Sequence, residues 1–127
     1  AFGKVKNHFS MTRLSLVGAE AAARDATWIP HVRREVAAAR ARIAAIAEAN
    51  GLTALPSATN FVAVDCGRDG DFAKAVLSAL IERGVFVRMP FAEPENRCIR
   101  VSAGTPEMLD VLEAVLPEAL AEARAAL

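Results

Sequence analysis

Two helices are predicted in the first fifty residues by the spacing of apolar positions. The segment 11–25 is rich in alanine, which favours a helix by propensity. In the segment that follows, Ile29, Val36 and Ile43 recur every seven residues and form a narrow apolar stripe on a second helix, which ends at the Asn-Gly pair 50–51. A helix of about 22 residues spans roughly 33 Å. The second helix is therefore long enough to connect two domains.

After Gly51 the pattern changes from helical to extended. Short apolar runs predict four strands, at 52–55, 60–66, 85–89 and 98–104. Between the second and third runs, apolar residues at helical spacing predict a helix with Asp71 as its N-cap. A last helix is expected to start at Thr105 as N-cap and to be kinked or split at Pro117. The order β-β-α-β-β-α predicts an α+β fold: a small, mostly antiparallel sheet with helices packed on it, preceded by two helices of which the second is long.

Composition and charge narrow the class of protein. The chain has 127 residues, of which 54% are hydrophobic and 24% charged, as is typical of a folded domain. Its 15 basic and 15 acidic side chains give zero net charge, whereas nucleic-acid binding needs clustered, uncompensated cations. No apolar run is long enough to span a membrane, and the first residues lack the order of a signal peptide. We therefore expect a cytoplasmic protein that binds neither nucleic acid nor membrane.

The sequence lacks the common motifs of phosphate and metal sites. It contains no glycine-rich phosphate loop, no His-Glu-x-x-His and no paired Cys-x-x-Cys. Cys66 and Cys98 lie far apart, each in a predicted strand, and are expected to be buried and unpaired. His8 and His31 have no partner cluster, which favours a structural role. We predict no metal site.

The main candidates for chemistry are two arginines in the last two predicted strands. Because side chains alternate along a strand, Arg100 lies on the face opposite Ile99 and Val101, and Arg88 lies opposite the apolar face of its own strand. If the strands pair, the two guanidinium groups converge on one anion, which an arginine fork binds with two parallel hydrogen bonds. The alternative is that both side chains simply face water on a one-sided antiparallel sheet. Spacing alone leaves both interpretations open.

Four segments, taken in order, carry a family resemblance: V-K-N-H-F at 5–9, N-F-V-A-V-D at 60–65, G-V-F-V-R at 84–88 and I-R-V-S-A-G-T-P-E at 99–107. The chain resembles the C-terminal part of the fold-type I aminotransferases, which depend on pyridoxal 5'-phosphate, and most of all their histidinol-phosphate aminotransferase-like branch. The resemblance covers nearly the whole chain. Its most specific part is the last segment together with G-V-F-V-R.

This resemblance implies a division of the chain and a role for both arginines. Residues 1–27 would be a remnant of the large cofactor-binding domain, 28–50 the long connecting helix and 51–127 the C-terminal small domain. Arg100 matches the arginine that holds the substrate's α-carboxylate, or the equivalent anionic group in histidinol-phosphate enzymes. Arg88 matches a second arginine that contacts the substrate. The parent protein would be a homodimeric aminotransferase acting on a small amino-acid or oxo-acid substrate.

The resemblance also places the cofactor lysine outside this chain. Enzymes of this family bind pyridoxal 5'-phosphate as a Schiff base to a lysine. The lysines here, Lys4, Lys6 and Lys74, lack the matching sequence context, so the cofactor machinery is expected upstream of Ala1. No catalytic or cofactor-binding residue is therefore assigned, and no cofactor is expected to be bound covalently to this chain. The chain alone is expected to be inactive.

The residues alone, without the resemblance, leave two alternative functions open. The chain would then be a free-standing α+β domain that captures a small carboxylate between Arg88 and Arg100 without a cofactor. Alternatively, it would be an assembly module in which the apolar stripe from Ile29 to Ile46 pairs helices between chains.

Overall fold

A computed structural model describes Lys4 and residues 11–126. Lys6, His8 and most of the segment 1–10 lie outside the described residues. The chain divides into two compact units between Arg34 and Glu35. No helix in the described part of the chain is both long and apolar enough to cross a membrane.

The first unit contains helix α1, Arg13–Arg24, and the start of helix α2, Trp28–Ala49. The side chain of Thr12 caps α1 by accepting the backbone N–H of Ser15 at 3.1 Å. Asp25 serves the start of α2, because its carboxylate accepts the N–H of Trp28 at 3.1 Å. The hydrogen bonds that this carboxylate accepts, above all from the Thr27 side chain, lower the pKa of Asp25. No residue of α1 is buried.

The second unit is built on a three-stranded antiparallel sheet in the order β1-β2-β3. The strands are β1, Thr53–Ala54; β2, Phe61–Asp65; and β3, Cys98–Ser102. Helix α3, Gly70–Glu82, lies in the chain between β2 and β3, and helix α4, Pro106–Ala125, follows β3. The predicted α+β fold, with two helices preceding the sheet, is confirmed.

The core lies on one face of this sheet. Alternate strand residues Val62, Val64, Ile99 and Val101 are buried, whereas Arg100 on the other face is only partly buried. The second half of α2, together with α3 and α4, packs on the buried face through apolar side chains that include Ile43, Ile46, Phe72, Val76, Leu80, Leu112, Leu116 and Leu120. Removing this apolar surface from water is the main term that stabilises the unit.

The apolar stripe of α2 is therefore largely used inside the unit. Ala39, Ile43 and Ile46 are buried in the core, whereas Ile29 is exposed. The alternative in which the whole stripe pairs helices between chains is wrong, because its second half already packs against the chain's own sheet and helices.

The predicted strand at 85–89 is wrong in its extent. The structure has a single bridge there, which pairs Arg88 with Arg100. In this antiparallel register the next hydrogen-bonded pair would need a backbone N–H at Pro90, and proline has none. Pro90 therefore prevents the pairing from extending opposite Cys98. The fourth strand is reduced to the one residue Arg88.

Two predicted helix details also need correction, and one is confirmed. Asp69, not Asp71, is the N-cap of α3, since its side chain accepts the N–H of Phe72 at 3.0 Å. Asp71 lies in the first turn, where a negative charge still favours the helix dipole. Thr105 caps α4 as predicted, but the helix is not split at Pro117. The buried leucines on both sides of Pro117 hold the helix on the core despite the lost backbone hydrogen bond.

Candidate functional site

The two predicted arginines lie directly opposite each other at the edge of the sheet. The N–H of Arg88 donates to the carbonyl of Arg100 at 3.2 Å, and the N–H of Arg100 donates to the carbonyl of Arg88 at 2.6 Å. Residues that exchange both hydrogen bonds in an antiparallel pair project their side chains from the same face. The fold thus places two arginines that are 12 positions apart in sequence side by side on one face of the sheet.

Both arginines line one groove of about 1000 Å³. Its far wall is the side of α3 that faces away from the core, and part of its rim is the loop that follows Arg88. Apolar groups in the lining include Leu77, Ile81, Phe86, Met89 and Phe91, and charged groups include Asp69, Asp71, Lys74 and Glu93. The groove lining therefore combines apolar side chains with three basic and three acidic ones.

Neither arginine is neutralised by a neighbour within the described residues. The ion pairs there involve Arg24, Arg42, Arg83 and Arg97 instead. No side-chain hydrogen bond is formed by Arg88 or Arg100 with another described residue. An arginine without an acidic partner keeps its N–H donors available to an incoming anion.

Asp65 is the acidic residue on the same face of β2, and it is already engaged. Its carboxylate accepts a hydrogen bond from Nε of Arg97 and one from the N–H of Gly67, both at 2.8 Å. This pairing raises the pKa of Arg97, chiefly through the hydrogen bond to Asp65. Because Asp65 is paired with Arg97 and accepts a hydrogen bond from Gly67, its carboxylate forms no ion pair with Arg88 or Arg100.

One side chain at the site was not identified from the sequence. The guanidinium carbon of Arg100 lies 4.7 Å from the centre of the Phe61 ring. The sequence signal was the alternation of β2, which puts Phe61, Ala63 and Asp65 on one face. Choosing Phe61 as the neighbour of Arg100 also required the β2–β3 register, which the sequence did not specify.

The described lysines do not fit a covalent cofactor site. Lys74 lines the groove, but it is solvent-exposed on α3. Lys4 is exposed as well. Lysines that form Schiff bases are activated by desolvation or by an adjacent cation in an enclosed pocket, and neither residue has such an enclosure. Nor does the described part of the chain contain a cluster of three or more His, Cys, Asp or Glu residues that could hold a metal ion.

The two cysteines are free and buried, as predicted. Burial raises the pKa of the Cys66 thiol to about 11. A raised pKa keeps the thiol protonated and therefore unreactive at neutral pH. Cys66 and Cys98 thus serve packing and are not candidates for the site's chemistry.

Alkylation of Cys66 should show this raised pKa. In the folded protein at pH 9 we expect iodoacetamide to label Cys66 about 50-fold or more slowly than in urea-unfolded protein, because about two pKa units separate the thiolate populations. The rate in the folded protein should keep rising about tenfold per pH unit towards pH 11. Peptide mapping by mass spectrometry measures it, and a rate that levels off near pH 9 in both states would contradict the prediction.

The chain is similar to aminotransferases over nearly its whole length. The family model described as aminotransferase class I and II matches residues 1–116. Histidinol-phosphate aminotransferase of Bacillus velezensis is 33% identical over 112 residues, a match that covers 88% of this chain and 30% of that protein. The protein of the same name from Shouchella clausii is 32% identical over 123 residues, covering 97% of this chain and 32% of that protein.

A solved structure has a similar fold. The crystal structure of histidinol-phosphate aminotransferase from Sinorhizobium meliloti in complex with pyridoxal-5'-phosphate matches with a TM-score of 0.88 and 44% sequence identity. The match covers 99% of this chain and 34% of that one. The chain thus spans about a third of the length of the proteins it matches.

Proposed function

Because the chain belongs to the class I and II aminotransferase family, we propose that it is the C-terminal part of a pyridoxal 5'-phosphate-dependent aminotransferase of the histidinol-phosphate type. Residues 28–50 are then the helix that connects the two domains of the parent enzyme, and residues 51–127 are its small domain. Residues 1–27 belong to the large domain. The similarity to three histidinol-phosphate aminotransferases supports this assignment.

The observation that carries the proposal is the pair of opposed arginines, Arg88 and Arg100, which have no acidic partner among the described residues. Directly opposite residues of this kind have Cα atoms about 5.5 Å apart, so two guanidinium groups can approach one small anion. Each guanidinium presents a rigid fork that matches the oxygens of a phosphate or carboxylate. In the proposed enzyme, Arg100 and Arg88 hold the negative end of the substrate.

The chain's own residues then bind and orient, and do not make or break bonds. When bound, pyridoxal 5'-phosphate supplies an electron sink for the bond changes at the substrate's Cα. Arg100 fixes the anionic end so that the Cα–H bond is presented to a base in the remainder of the parent enzyme. Since neither described lysine has an enclosed setting, the cofactor-bearing lysine is assigned to that remainder as well.

Two further features of the parent enzyme come from the family resemblance. We propose that it is a homodimer assembled mainly through the part outside this chain. The expected cytoplasmic location remains a prediction from composition.

A substrate comparison with the complete enzyme tests the proposed function. Histidinol phosphate and histidinol differ only in the phosphate, which the two arginines would hold. Hydrogen bonds to charged groups contribute about 1.5 to 3 kcal/mol each, so at least two of them should favour histidinol phosphate in kcat/KM by about 100-fold or more. The measurement is transfer of the amino group to a panel of 2-oxo acids.

The same assay provides a control variant and the outcomes that would reject the proposal. The Arg42→Ala variant should keep the preference, since Arg42 is paired with Asp110 and Glu113 and does not line the groove. Equal kcat/KM for the phosphorylated and the unphosphorylated donor would reject a phosphate-holding role. Absence of transfer from every amine tested would reject the aminotransferase assignment itself.

A further inference from the structure

The Phe61 ring and the Arg100 guanidinium form a close pair on the face of the sheet opposite the core. The guanidinium carbon lies 4.7 Å from the ring centre, within the range of about 6 Å in which a cation is attracted to an aromatic face. Among the described residues, Phe61 is the one aromatic side chain that makes a cation–π contact with Arg100. The ring is partly buried, and so is the arginine.

The register of β2 and β3 explains why this pair forms. Ala63 is directly opposite Arg100, and Phe61 is two residues further along β2, opposite Ser102. Alanine contributes only a methyl group at the position closest to Arg100, so the long arginine side chain has room to lean diagonally to the next residue on that face. Diagonal neighbours across a sheet are within reach of long and aromatic side chains.

Phe61 itself is fixed by its backbone. Its carbonyl accepts hydrogen bonds from the hydroxyl groups of Ser57 and Thr59, and its N–H donates to the Thr59 hydroxyl at 3.3 Å. The carbonyl of Thr59 is in turn held by the guanidinium of Arg40 on α2 at 2.7 Å. The start of β2, which carries the Phe61 ring, is therefore hydrogen-bonded to the loop before it and, through Arg40, to helix α2.

We infer that Phe61 is a positioning residue for Arg100, and this inference rests on the proposed function. The ring holds one face of the guanidinium by a cation–π contact and leaves the edge of the guanidinium, with its N–H donors, aimed into the groove. An arginine oriented before the anion arrives loses less conformational entropy on binding it. Phe61 thus strengthens anion binding without touching the reacting atoms.

The test compares Phe61→Leu, Phe61→Tyr and wild type in the complete enzyme. Leucine keeps apolar bulk but removes the aromatic face, whereas tyrosine keeps the face. Since a cation–π contact contributes from about 0.5 to about 2 kcal/mol, kcat/KM should fall by about 2- to 30-fold in Phe61→Leu, mainly through a raised KM. Phe61→Tyr should stay within about twofold of wild type by the same arithmetic.

A second background separates positioning from a merely structural role. In the Arg100→Ala variant there is no cation for the ring to hold, so adding Phe61→Leu should change kcat/KM by less than about twofold. Inorganic phosphate serves as a probe of anion binding. In Phe61→Leu its inhibition constant should rise by about the same factor as KM. An equal fold-loss from Phe61→Leu in both backgrounds would overturn the inference, because the ring would then act independently of Arg100. A failed rescue by Phe61→Tyr would overturn it too.

Arg68 and Phe72 provide a matched control. Their guanidinium-to-ring distance is also 4.7 Å, but neither residue lines the groove. Arg68→Ala should leave KM within about twofold of wild type.

The results for Arg100 and Phe61 also separate this inference from the proposed function. If Arg100→Ala itself lowers kcat/KM less than about threefold, the substrate-holding role of Arg100 and the positioning role of Phe61 are both rejected. If Arg100→Ala has a large effect and Phe61→Leu has none, only the positioning role falls.

Discussion

Replacing Arg100 by alanine in the complete enzyme should lower kcat/KM by roughly 10- to 150-fold, because hydrogen bonds to charged groups contribute about 1.5 to 3 kcal/mol each. Arg100 lies in the groove with no acidic partner among the described residues, so its donors are available to the substrate. Steady-state kinetics with the preferred amino donor measure the effect. The variant should fold normally, since the Arg100 side chain lies outside the apolar core.

Two companion variants sharpen this result. Arg100→Lys keeps the positive charge but loses the planar fork, and it should recover only part of the lost activity. Arg42→Ala removes an arginine of α2, yet it should stay within about threefold of wild type in kcat/KM, since Arg42 is paired with Asp110 and Glu113 and does not line the groove. A loss below about threefold for Arg100→Ala would reject the substrate-holding role.

Local sequence signals were sufficient for most of the fold. Alternation in β3 and helical spacing in α3 are properties of neighbouring residues, and the core face follows from them. The cap at Thr105 was predictable because a threonine followed by Pro106 is a strong local start signal. These features depend on short segments, whose preferences the tertiary structure left unchanged.

The errors occurred where a distant residue decides the outcome. Whether residues 85–89 form a strand depends on the hydrogen bonds offered by β3 and on the missing donor of Pro90, not on their own apolar pattern. Asp71 was predicted as the cap of α3, but the turn after β2 ends earlier, so the helix begins at Gly70 and Asp69 is the cap. Pro117 is tolerated because buried leucines of α4 pack on the core on both sides of it.

The candidate site was predictable in its residues and not in its surroundings. Arg88 and Arg100 stood out as lone cations opposite apolar strand faces. Their direct pairing, the stacking on Phe61 and the engagement of Asp65 by Arg97 all follow from one strand register. A shift of that register by one residue would send Arg100 to the core face. The site therefore depends on the core packing that fixes the register.

The register should loosen when the core beneath it is opened at Phe72. The Phe72 side chain is 2% exposed, begins the buried face of α3 and belongs to the same core as Ile99 and Val101 of β3. Phenylalanine-to-alanine changes in cores cost about 3 to 5 kcal/mol, a large part of a typical total stability of about 5 to 15 kcal/mol. In the Phe72→Ala enzyme, hydrogen–deuterium exchange of the α3 and β3 amides should accelerate about 100-fold or more.

Phe72→Leu and Arg68→Ala are the controls for this expectation. Leucine refills most of the space, so exchange should accelerate far less than in Phe72→Ala. Arg68→Ala removes only the exposed cation stacked on the ring, a contact of about 0.5 to 1 kcal/mol, and should leave α3 protected. Equal exchange rates of the α3 and β3 amides in Phe72→Ala and Phe72→Leu would contradict the prediction. Slow exchange in Phe72→Ala combined with a lost phosphate preference would instead mean that the groove, and not the core, depends on this side chain.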